Sequence, residues 1–397
     1  MLDRREFVKA TAVSAAVGVA NPRLGFADAV ALDPVLAKHR IAKIETRFVP
    51  YRWPRLVGKN ARIGVHGQEK RARIAVLTTD QGAVGWGVTS GRDRKSLQPF
   101  VGRSVAELID PATGIRPGAP AALDIPLHDL AGVILDKPVY QMLGASGPKE
   151  SPLYSGMIYF DELEPEDNPA GFDQVLANCQ WDVDYGYRQL KIKIGRSGRW
   201  YPHDEGLRAD IEIVRRIHDT LGGEGVRLLV DANDMYSESD VRRFLEGVAG
   251  VPLLWMEEPF REHPKKTPAL RKWMQQNGFE NTLLADGEFN PDRKLCQELA
   301  ERGALDVCLH DVIGFGFTRW RRLIPKLSQL GVSASPHGWG SLLKTHYVAH
   351  LAAGLGNCVT IEGVTCESDA IDFGDYPLAN GKLRVSNAPG FGMKLIG

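Results

Sequence analysis

The feature that most constrains this chain is a series of seven apolar, strand-like runs in its second half, each ending in polar residues. The ends follow one another from Lys191 to Glu362 at intervals of 23 to 40 positions, close to the length of one strand and helix pair. The seven runs are LKIK, LLVDAN, LLWMEEP, LLADGE, VCLHD, VSASPH and VTIEG. Parallel strands alternating with helices at this pitch predict an α/β barrel, in which the carboxyl ends of all strands meet at one mouth. The polar ends are therefore predicted to converge.

Length and local pattern indicate a second domain beside the barrel. The chain has 397 residues, of which 43% are hydrophobic, whereas one barrel takes about 250 residues. Residues 38–150 begin with alternating apolar and polar runs and continue into helical stretches, which predicts an α+β capping domain. We place the barrel at residues 151–368 and expect the tail, residues 369–397, to pack back on the cap.

Two helix starts are marked in the barrel half. Ser237 and Asp240 form a capping-box pair before VRRFLEGV. Asn290 with Pro291 supplies a cap and a first-turn proline before RKLCQELAERG. These signals predict that helices follow the second and the fourth of the seven runs.

Residues 1–29 differ from the rest and are predicted to be an export signal. Arg4 and Arg5 precede a mildly apolar run at 10–20, and ADA at 27–29 offers a small-x-small cleavage site. The paired arginines resemble a twin-arginine signal. The apolar run is too short to span a bilayer, so no stable membrane anchor is expected. The mature protein is accordingly predicted to be periplasmic or otherwise exported.

The charge balance excludes one class of partner. Lys plus Arg and Asp plus Glu number 49 each, so the formal net charge is zero. A chain without net positive charge has no global attraction to nucleic acid or to an anionic membrane. Small molecules are therefore the expected partners.

Three acids, Asp231, Glu257 and Glu288, end three successive runs and are predicted to bind a metal ion. Converging carboxylates repel one another, whereas a divalent cation neutralises them and prefers such oxygen ligands. Mg²⁺ is the expected ion, and Mn²⁺ also fits an all-oxygen site. The alternative is that each acid caps the helix that follows it. Asn233 and Glu258 are expected to support the site.

Lys191 and Lys193 lie two positions apart, so both side chains face the same side of the predicted strand. Two ammonium groups close together, near a metal ion and partly desolvated, lower each other's pKa and can leave one of them neutral and able to act as a base. Lys193, nearer the mouth, is the predicted base. A harmless position on a surface strand is the alternative.

Asp311 and His337 end neighbouring runs and are predicted to form a catalytic dyad. An aspartate that accepts a hydrogen bond from one imidazole nitrogen fixes the tautomer and raises the basicity of the other nitrogen. A buried structural histidine with a carboxylate partner is the alternative. Glu362, at the end of the last run, is expected to hydrogen-bond a developing oxyanion if it carries a proton.

These residues resemble the enolase superfamily, and within it the mandelate racemase and muconate lactonizing enzyme family, mandelate racemase subgroup. The resemblance covers roughly residues 40–397. The matching motifs are KxK at 191–193, DAN at 231–233, EEP at 257–259, ADGE at 285–288, the Asp311 and His337 pair, Glu362, DLxG at 129–132, KPVYQxLG at 137–144, and the closing PGFG at 389–392.

The resemblance implies a (β/α)7β-type modified TIM barrel whose cap is built from the N-terminal region and the C-terminal tail. It also implies Mg²⁺-dependent removal of the proton α to a carboxylate through an enediolate, with bases on both faces of the substrate. We favour dehydration of a sugar acid to a 2-keto-3-deoxy acid over racemisation, epimerisation or cycloisomerisation of a hydroxy acid. Barrels of this family commonly assemble, so a homo-oligomer is expected.

The substrate itself is predicted to contact the cap loop, residues 50–68. Its polar side chains are suited to bind hydroxyls or a distal carboxylate of the substrate. The candidates are Arg52, Arg55, Lys59, Arg62 and His66. A different class of function is an exported, non-catalytic solute-binding protein on the same scaffold. Retention of Lys193 and His337 favours the enzyme, because a receptor needs the metal but neither base.

Overall fold

The computed structural model describes residues 32–90 and 94–396. The predicted export signal at 1–29 lies outside the described residues. Within them, no helix has the length and apolar character needed to cross a membrane. Short 3-10 turns in this part of the chain are Leu36–Lys38, Arg94–Phe100, Ala121–Leu123, Asp161–Leu163, Arg196–Gly198 and Gly222–Glu224.

The N-terminal part forms an antiparallel sheet covered by helices. Its strands are β1 (Ile41–Val57), β2 (Gly67–Thr79) and β3 (Val84–Val88), in that order, followed by the two-residue pair β4 (Ile109–Asp110) and β5 (Gly114–Ile115). Helix α1 (Val105–Leu108) directly precedes β4, and helices α2 (Asp124–Ile134) and α3 (Val139–Met142) come after β5. Helix α2 packs tightly on β3, since a Cβ at Gly85 would come within 2.4 Å of the Leu130 backbone. The α+β character predicted for this region is present.

The second part is a barrel of eight parallel strands among the described residues. They are β6 (Glu150–Ile158), β7 (Gln189–Lys193), β8 (Arg227–Asp231), β9 (Leu253–Glu257), β10 (Leu283–Asp286), β11 (Val307–Cys308), β12 (Ser333–Ala334) and β13 (Ile361–Gly363). Each pairs with the next in chain order, and β13 pairs with β6. A parallel bridge from Ala334 to Cys358, just before β13, closes the ring.

Helical segments follow seven of the eight strands. They are α4 (Phe172–Tyr185), α5 (His203–Leu221), α6 (Glu238–Gly247), α7 (Lys266–Gln276), α8 (Arg293–Glu301), α9 (Val312–Phe315) with α10 (Phe317–Gln329), and α11 (Leu342–Leu355). In the described chain β13 leads into the tail instead of a helix, which gives the (β/α)7β arrangement. The predicted fold class is confirmed.

The two predicted helix starts have different outcomes. Ser237 and Asp240 form the capping box that was predicted for α6. Helix α8 instead begins one residue after Asp292, whose side chain accepts hydrogen bonds from Lys294 N and Leu295 N. The predicted cap at Asn290 is wrong, because this residue has a φ of 45° and lies in the turn before the helix.

The tail contacts both the barrel and the cap. It contributes β14 (Ile371–Asp372), β15 (Leu378–Ala379), β16 (Lys382–Arg384) and β17 (Lys394–Leu395), of which β16 pairs with β6. Asp129 of the DLxG motif accepts hydrogen bonds from Phe391 N at 2.8 Å and Trp86 N at 2.9 Å. A Cβ at Gly390, whose φ is 67°, would lie 2.3 Å from the Asp129 carboxylate. The DLxG motif and the closing PGFG motif therefore meet at the buried Asp129 carboxylate.

Candidate active site

Three carboxylates converge at the carboxyl ends of neighbouring strands. Asp231 and Glu257 are the last residues of β8 and β9, and Glu288 lies two positions after the end of β10. One oxygen from each lies within 4.8 Å of the others. Asp231 and Glu257 are at most 1% exposed. The structure thus brings together the three residues predicted as metal ligands, hereafter the carboxylate trio.

The trio fits a hard divalent cation. Glu257 Oε2 and Glu288 Oε2 are buried and have no hydrogen-bond partner among the described residues. Burial raises the pKa of Glu257, and the adjacent Asp231 charge raises it further. Buried carboxylate oxygens without donors are destabilising, and an oxygen-binding cation satisfies them. The donor set and the unsatisfied atoms therefore match Mg²⁺.

Two lysines face the trio from β7. Lys191 Nζ lies 2.9 Å from Glu257 Oε1, 3.4 Å from Asp231 Oδ2 and 3.2 Å from Glu362 Oε1. Lys193 Nζ donates to Asp231 Oδ2. Both lysines are almost wholly buried, so the alternative of a harmless surface position is excluded.

The pKa values of the lysines depart from the prediction. Burial disfavours the ammonium form of Lys193, but Asp231 and the other negative groups around it together outweigh burial and raise the pKa. The pKa of Lys191 is raised in the same way, since Glu257 and the other acids together outweigh burial. Lys191 does lower the pKa of Lys193, as predicted, but attraction by the carboxylates exceeds this repulsion between the two ammonium groups.

Asp311 and His337 form the predicted pair. His337 Nδ1 lies 3.0 Å from Asp311 Oδ2, and its Nε2 lies 3.2 Å from Glu288 Oε1. Burial disfavours the imidazolium, but the charges of Glu288 and the other nearby acids outweigh it and raise the pKa of His337. Lys344 of α11 donates to Asp311 Oδ2 at 2.7 Å. His337 is thus held with Nδ1 toward Asp311 and Nε2 toward the trio.

Glu362 lies beside Lys191 and His337, whose charges favour its ionised form over the protonated form that was predicted to bind an oxyanion. It is fully buried, and its Oε2 accepts a hydrogen bond from Gly338 N at 2.9 Å. Burial opposes ionisation, but the charges of Lys191 and His337 outweigh burial and lower the pKa of Glu362. An ionised carboxylate cannot donate a hydrogen bond to an oxyanion. The structure instead places Glu362 as a charge partner that lies between Lys191 and His337.

The two supporting residues act on the ligands through the backbone. Glu258 Oε1 accepts hydrogen bonds from Glu288 N at 3.0 Å and Phe289 N at 2.8 Å. Asn233 N donates to Asp231 Oδ1 at 2.9 Å. Asn233 and Glu258 have φ angles of 46° and 39°, which are uncommon for residues with a side chain. Such backbone strain is often found at functional sites.

Four cations expected to bind substrate are instead paired with protein groups. Arg52 is exposed and pairs with Glu367, whereas Arg55 binds both oxygens of Asp182. Lys59 lies 3.1 Å from Glu164. Arg62 donates to Asp234 and to the Asn233 carbonyl. The prediction that these four bind the substrate is not supported, because each charge already has a protein partner.

His66, the fifth residue predicted to bind the substrate, packs against Tyr159, whose ring lies near the proposed base Lys193. Its ring packs 4.8 Å from Tyr159 and 4.9 Å from Trp339. Burial lowers the pKa of His66 to about 4, and the Lys193 charge adds to this effect. Tyr159 and Trp339 were missed in the sequence. Their positions in the sequence could have identified them as residues near the site, since Tyr159 directly follows β6 and Trp339 stands two residues after His337.

The comparisons with known proteins agree with this geometry. A family model described as "Enolase C-terminal domain-like" matches residues 174–396. The chain belongs to the enolase superfamily. A member of known structure, galacturonate dehydratase from Geobacillus sp. complexed with D-galacturonate and 5-keto-4-deoxy-D-galacturonate, is 32% identical to this chain. The match covers 90% of this chain and 95% of that one, with a TM-score of 0.84.

Further relatives extend the range of activities found in the superfamily. A mutant galacturonate dehydratase from Geobacillus sp. complexed with Mg is 31% identical, with a TM-score of 0.85 over 92% of this chain and 95% of that chain. A hydrophobic dipeptide epimerase of Enterococcus faecalis is 28% identical over 53% of this chain. A D-xylonate dehydratase of Haloferax volcanii is 24% identical over 69%. The chain spans 52% and 66% of the lengths of these two curated relatives.

Proposed function

We propose that this chain is a Mg²⁺-dependent enzyme that removes the proton α to the carboxylate of a sugar acid and dehydrates the acid to a 2-keto-3-deoxy product. The observation that carries the proposal is the position of two proton-transfer groups beside the carboxylate trio. Lys193 approaches the trio from β7, and His337, held by Asp311, approaches it from the end of β12. A solute receptor would need the trio but neither of these groups.

The carboxylate trio would hold the cation. When bound, Mg²⁺ neutralises the trio and stabilises negative charge that develops on the substrate carboxylate. Mn²⁺ suits the same oxygen donors. The unsatisfied Glu257 and Glu288 oxygens support this assignment, as does the Mg complex of the relative from Geobacillus sp..

Proton transfer is assigned to the two side chains that face the trio. A divalent cation on the trio would neutralise the Asp231 charge that holds the proton on Lys193. Lys193, as the free amine, would then accept the α-proton while the C–H electron pair moves toward the carboxylate carbon. His337, whose pKa is raised by nearby acids despite burial, donates its Nε2 proton to the β-hydroxyl. The β-hydroxyl leaves as water, a Cα–Cβ double bond forms, and the resulting enol takes a proton at Cβ to become the 2-keto acid. One water is lost in total, with no oxidation or reduction.

The same pair of groups favours a second function. If the β-hydroxyl is retained, His337 can return a proton to the opposite face of Cα, which gives epimerisation or racemisation. The dipeptide epimerase of Enterococcus faecalis is a relative with such an activity in its name. Cycloisomerisation would begin with the same proton removal.

A proton-exchange experiment separates these functions. The protein with Mg²⁺ is incubated in D2O with uronic, aldonic and aldaric acids, and α-proton loss is followed by ¹H NMR. Products are tested with semicarbazide, which reports 2-keto acids. Dehydration predicts exchange together with a semicarbazide-reactive product, and EDTA should abolish both. Exchange without a keto product would instead establish an epimerase or racemase, and binding without exchange would establish a receptor.

The proposal also covers the subgroup, the cellular location and the oligomeric state of this chain. We place the chain in the mandelate racemase subgroup and propose that residues 1–29 direct export through the twin-arginine route to the periplasm. Replacing Arg4 and Arg5 with lysine should retain the protein in the cytoplasmic fraction of cells. We also propose a homo-oligomer, which light scattering after size-exclusion chromatography would detect as a mass above the 43.7 kDa of one chain.

A further inference from the structure

A cluster of four ring side chains lies at the junction of cap and barrel, beside the proposed base. Trp53 and His66 come from the cap, whereas Tyr159 and Trp339 follow barrel strands β6 and β12. Lys193 Nζ lies 5.5 Å from the centre of the Tyr159 ring. The distances between ring centroids are 5.1 Å for Trp53 and Trp339, 4.8 Å for His66 and Tyr159, 4.9 Å for His66 and Trp339, and 5.6 Å for Tyr159 and Trp339. These four residues are called the ring cluster below.

The ring cluster contains two unsatisfied hydrogen-bond donors. Trp53 Nε1 and Trp339 Nε1 are both buried and have no acceptor among the described residues. Trp53 is 0% exposed. Buried indole N–H groups usually have a partner, so two of them in contact indicate that an acceptor from outside the chain completes the cluster.

His66 adds an acceptor of defined tautomer. Its Nδ1 lies 2.7 Å from the carbonyl oxygen of Gly58, which can only accept, so Nδ1 carries the hydrogen. Burial keeps the ring neutral, with a pKa of about 4. Nε2 of His66 therefore has a free lone pair for a donor such as a hydroxyl.

Four of the cations around the ring cluster are paired with protein carboxylates. Arg52, Arg55, Lys59 and Arg62 each pair with a protein carboxylate. Lys70 Nζ lies 5.3 Å from the Trp53 ring, and this residue lines a separate cleft of about 780 Å³ between β1, β2 and residues 367–369. The ring cluster itself offers neutral donors and a neutral acceptor. A hydroxyl uses both kinds of group, whereas a carboxylate uses donors alone and would be repelled by the His66 lone pair.

We propose that the ring cluster receives the neutral, hydroxyl-bearing end of the substrate and selects monocarboxylic sugar acids, uronic or aldonic, over aldaric diacids. This inference rests on the proposed function, because it places the reacting carboxylate of the substrate at the carboxylate trio. The Trp53 and Trp339 indoles donate to substrate oxygens, and His66 accepts from a substrate hydroxyl. Discrimination against a diacid follows from the cost of burying its second carboxylate against the lone pair of His66 Nε2, while Lys70 lines the separate cleft.

Matched pairs of acids test the selection. D-galactonate and galactarate differ only in whether the distal carbon is a hydroxymethyl group or a carboxylate, and D-gluconate and D-glucarate form a second such pair. Binding to the full chain with Mg²⁺ is measured by isothermal titration calorimetry. We expect the monoacid of at least one pair to bind about tenfold or more tightly than its diacid, which corresponds to the loss of one charged group's partner. Equal or tighter binding of the diacid in both pairs would overturn the proposal.

Variants test whether the indole donors carry the selection. Trp339→Phe keeps an aromatic ring and removes one N–H, and it should weaken monoacid binding by about fivefold to tenfold without weakening diacid binding. Trp181→Phe, on the partly exposed face of α4, is the control and should bind like the wild type. His66→Phe provides a second test and should raise the monoacid Kd by a similar factor. Unchanged monoacid binding by both Trp339→Phe and His66→Phe would refute the assignment.

The α-proton exchange experiment distinguishes a failure of the proposed dehydration from a failure of the proposed selection by the ring cluster. If monoacids bind selectively but no α-proton exchange occurs, the proposed dehydration fails and the selection by the ring cluster stands. If exchange occurs and diacids are the better ligands, the dehydration stands and the selection fails.

Discussion

The charge of each proposed catalytic side chain is set by adjacent carboxylates. Lys193 donates to Asp231, and His337 is held by Asp311, whose carboxylate also binds Lys344. Burial opposes the ionisation of Asp311, but the Lys344 and His337 charges outweigh it and hold its pKa well below the usual range. The dyad therefore has an ionised carboxylate that orients the imidazole through Nδ1.

Removal of either proton-transfer group should abolish turnover without loss of the metal site. We expect Lys193→Ala and His337→Asn each to lower kcat by about a hundredfold to ten-thousandfold, the range for a general acid or base. Neither residue belongs to the carboxylate trio, so Mg²⁺ binding measured by calorimetry should persist. A variant that keeps full activity would show that the corresponding group is not the one that moves the proton.

Glu258 should affect metal affinity although it is not among the predicted ligands. Its Oε1 accepts from Glu288 N and Phe289 N, so Glu258→Ala removes this acceptor and loosens the turn that carries Glu288. Partners that orient metal ligands are typically worth about tenfold to a hundredfold in affinity, and we expect a loss in that range. Calorimetric titration with Mg²⁺ gives the measurement.

A buried acid on the same loop serves as the control for Glu258. Glu262 accepts from Asp292 N and does not contact the backbone of Glu288 in the described structure. Glu262→Ala should leave the Mg²⁺ dissociation constant within about twofold of the wild type, since Glu262 does not orient a ligand. An equal loss in both variants would indicate general loosening of the loop instead of a specific effect on Glu288.

At the scale of elements, the strand ends were predictable and the cap contacts were not. Asp231 and Glu257 could be placed because apolar strand residues precede them and parallel strands share one mouth. Arg55 was predicted to lie in a loop but lies in β1, and its partner Asp182 is 127 positions away. Nothing in local sequence specifies such a pairing. The sign of the Lys193 pKa shift was missed for the same reason, because it depends on the position of the Asp231 carboxylate.

The start of α8 offers a test of an individual element. Asp292 caps the helix through Lys294 N and Leu295 N, so Asp292→Ala should lower the free energy of unfolding by about 1 kcal/mol. Asn290→Gly is the matched comparison, because glycine tolerates the φ of 45° found there. Thermal denaturation followed by circular dichroism should show a lower Tm for Asp292→Ala alone. A lower Tm for Asn290→Gly alone would place the cap at residue 290 after all.

At the scale of the whole molecule, the cap depends on contacts between distant parts of the chain. The Asp129 carboxylate joins β3, α2 and the tail, and burial raises its pKa to about 7 even though two backbone amides donate to it. The DLxG and PGFG motifs were recognised in the sequence by resemblance. Their physical link, one carboxylate shared by Trp86 N and Phe391 N, needed the structure, since the two motifs lie more than 250 positions apart.

A small substitution should disrupt the contact between Gly390 of the tail and Asp129 of α2. Gly390→Ala would place a Cβ 2.3 Å from the Asp129 carboxylate at a φ of 67°, so we expect a loss of about 2 kcal/mol or more in stability. Gly223→Ala is the matched control, because a Cβ there meets nothing within 4 Å. Differential scanning calorimetry should show a lower Tm for Gly390→Ala and little change for Gly223→Ala. Equal transitions in the two variants would mean that the tail does not stabilise the cap.

The shared carboxylate also sets an order of events during synthesis. Asp129 is translated 262 residues before Phe391, whose amide it needs. The whole barrel is synthesised between these two residues. Until the tail is made, the Asp129 carboxylate lacks the hydrogen bond from Phe391 N, so the contact that joins the cap sheet and α2 to the tail is incomplete. Contacts this distant in sequence form late and slowly. Nascent chains that stop before residue 389 should therefore carry a formed barrel beneath a protease-sensitive cap.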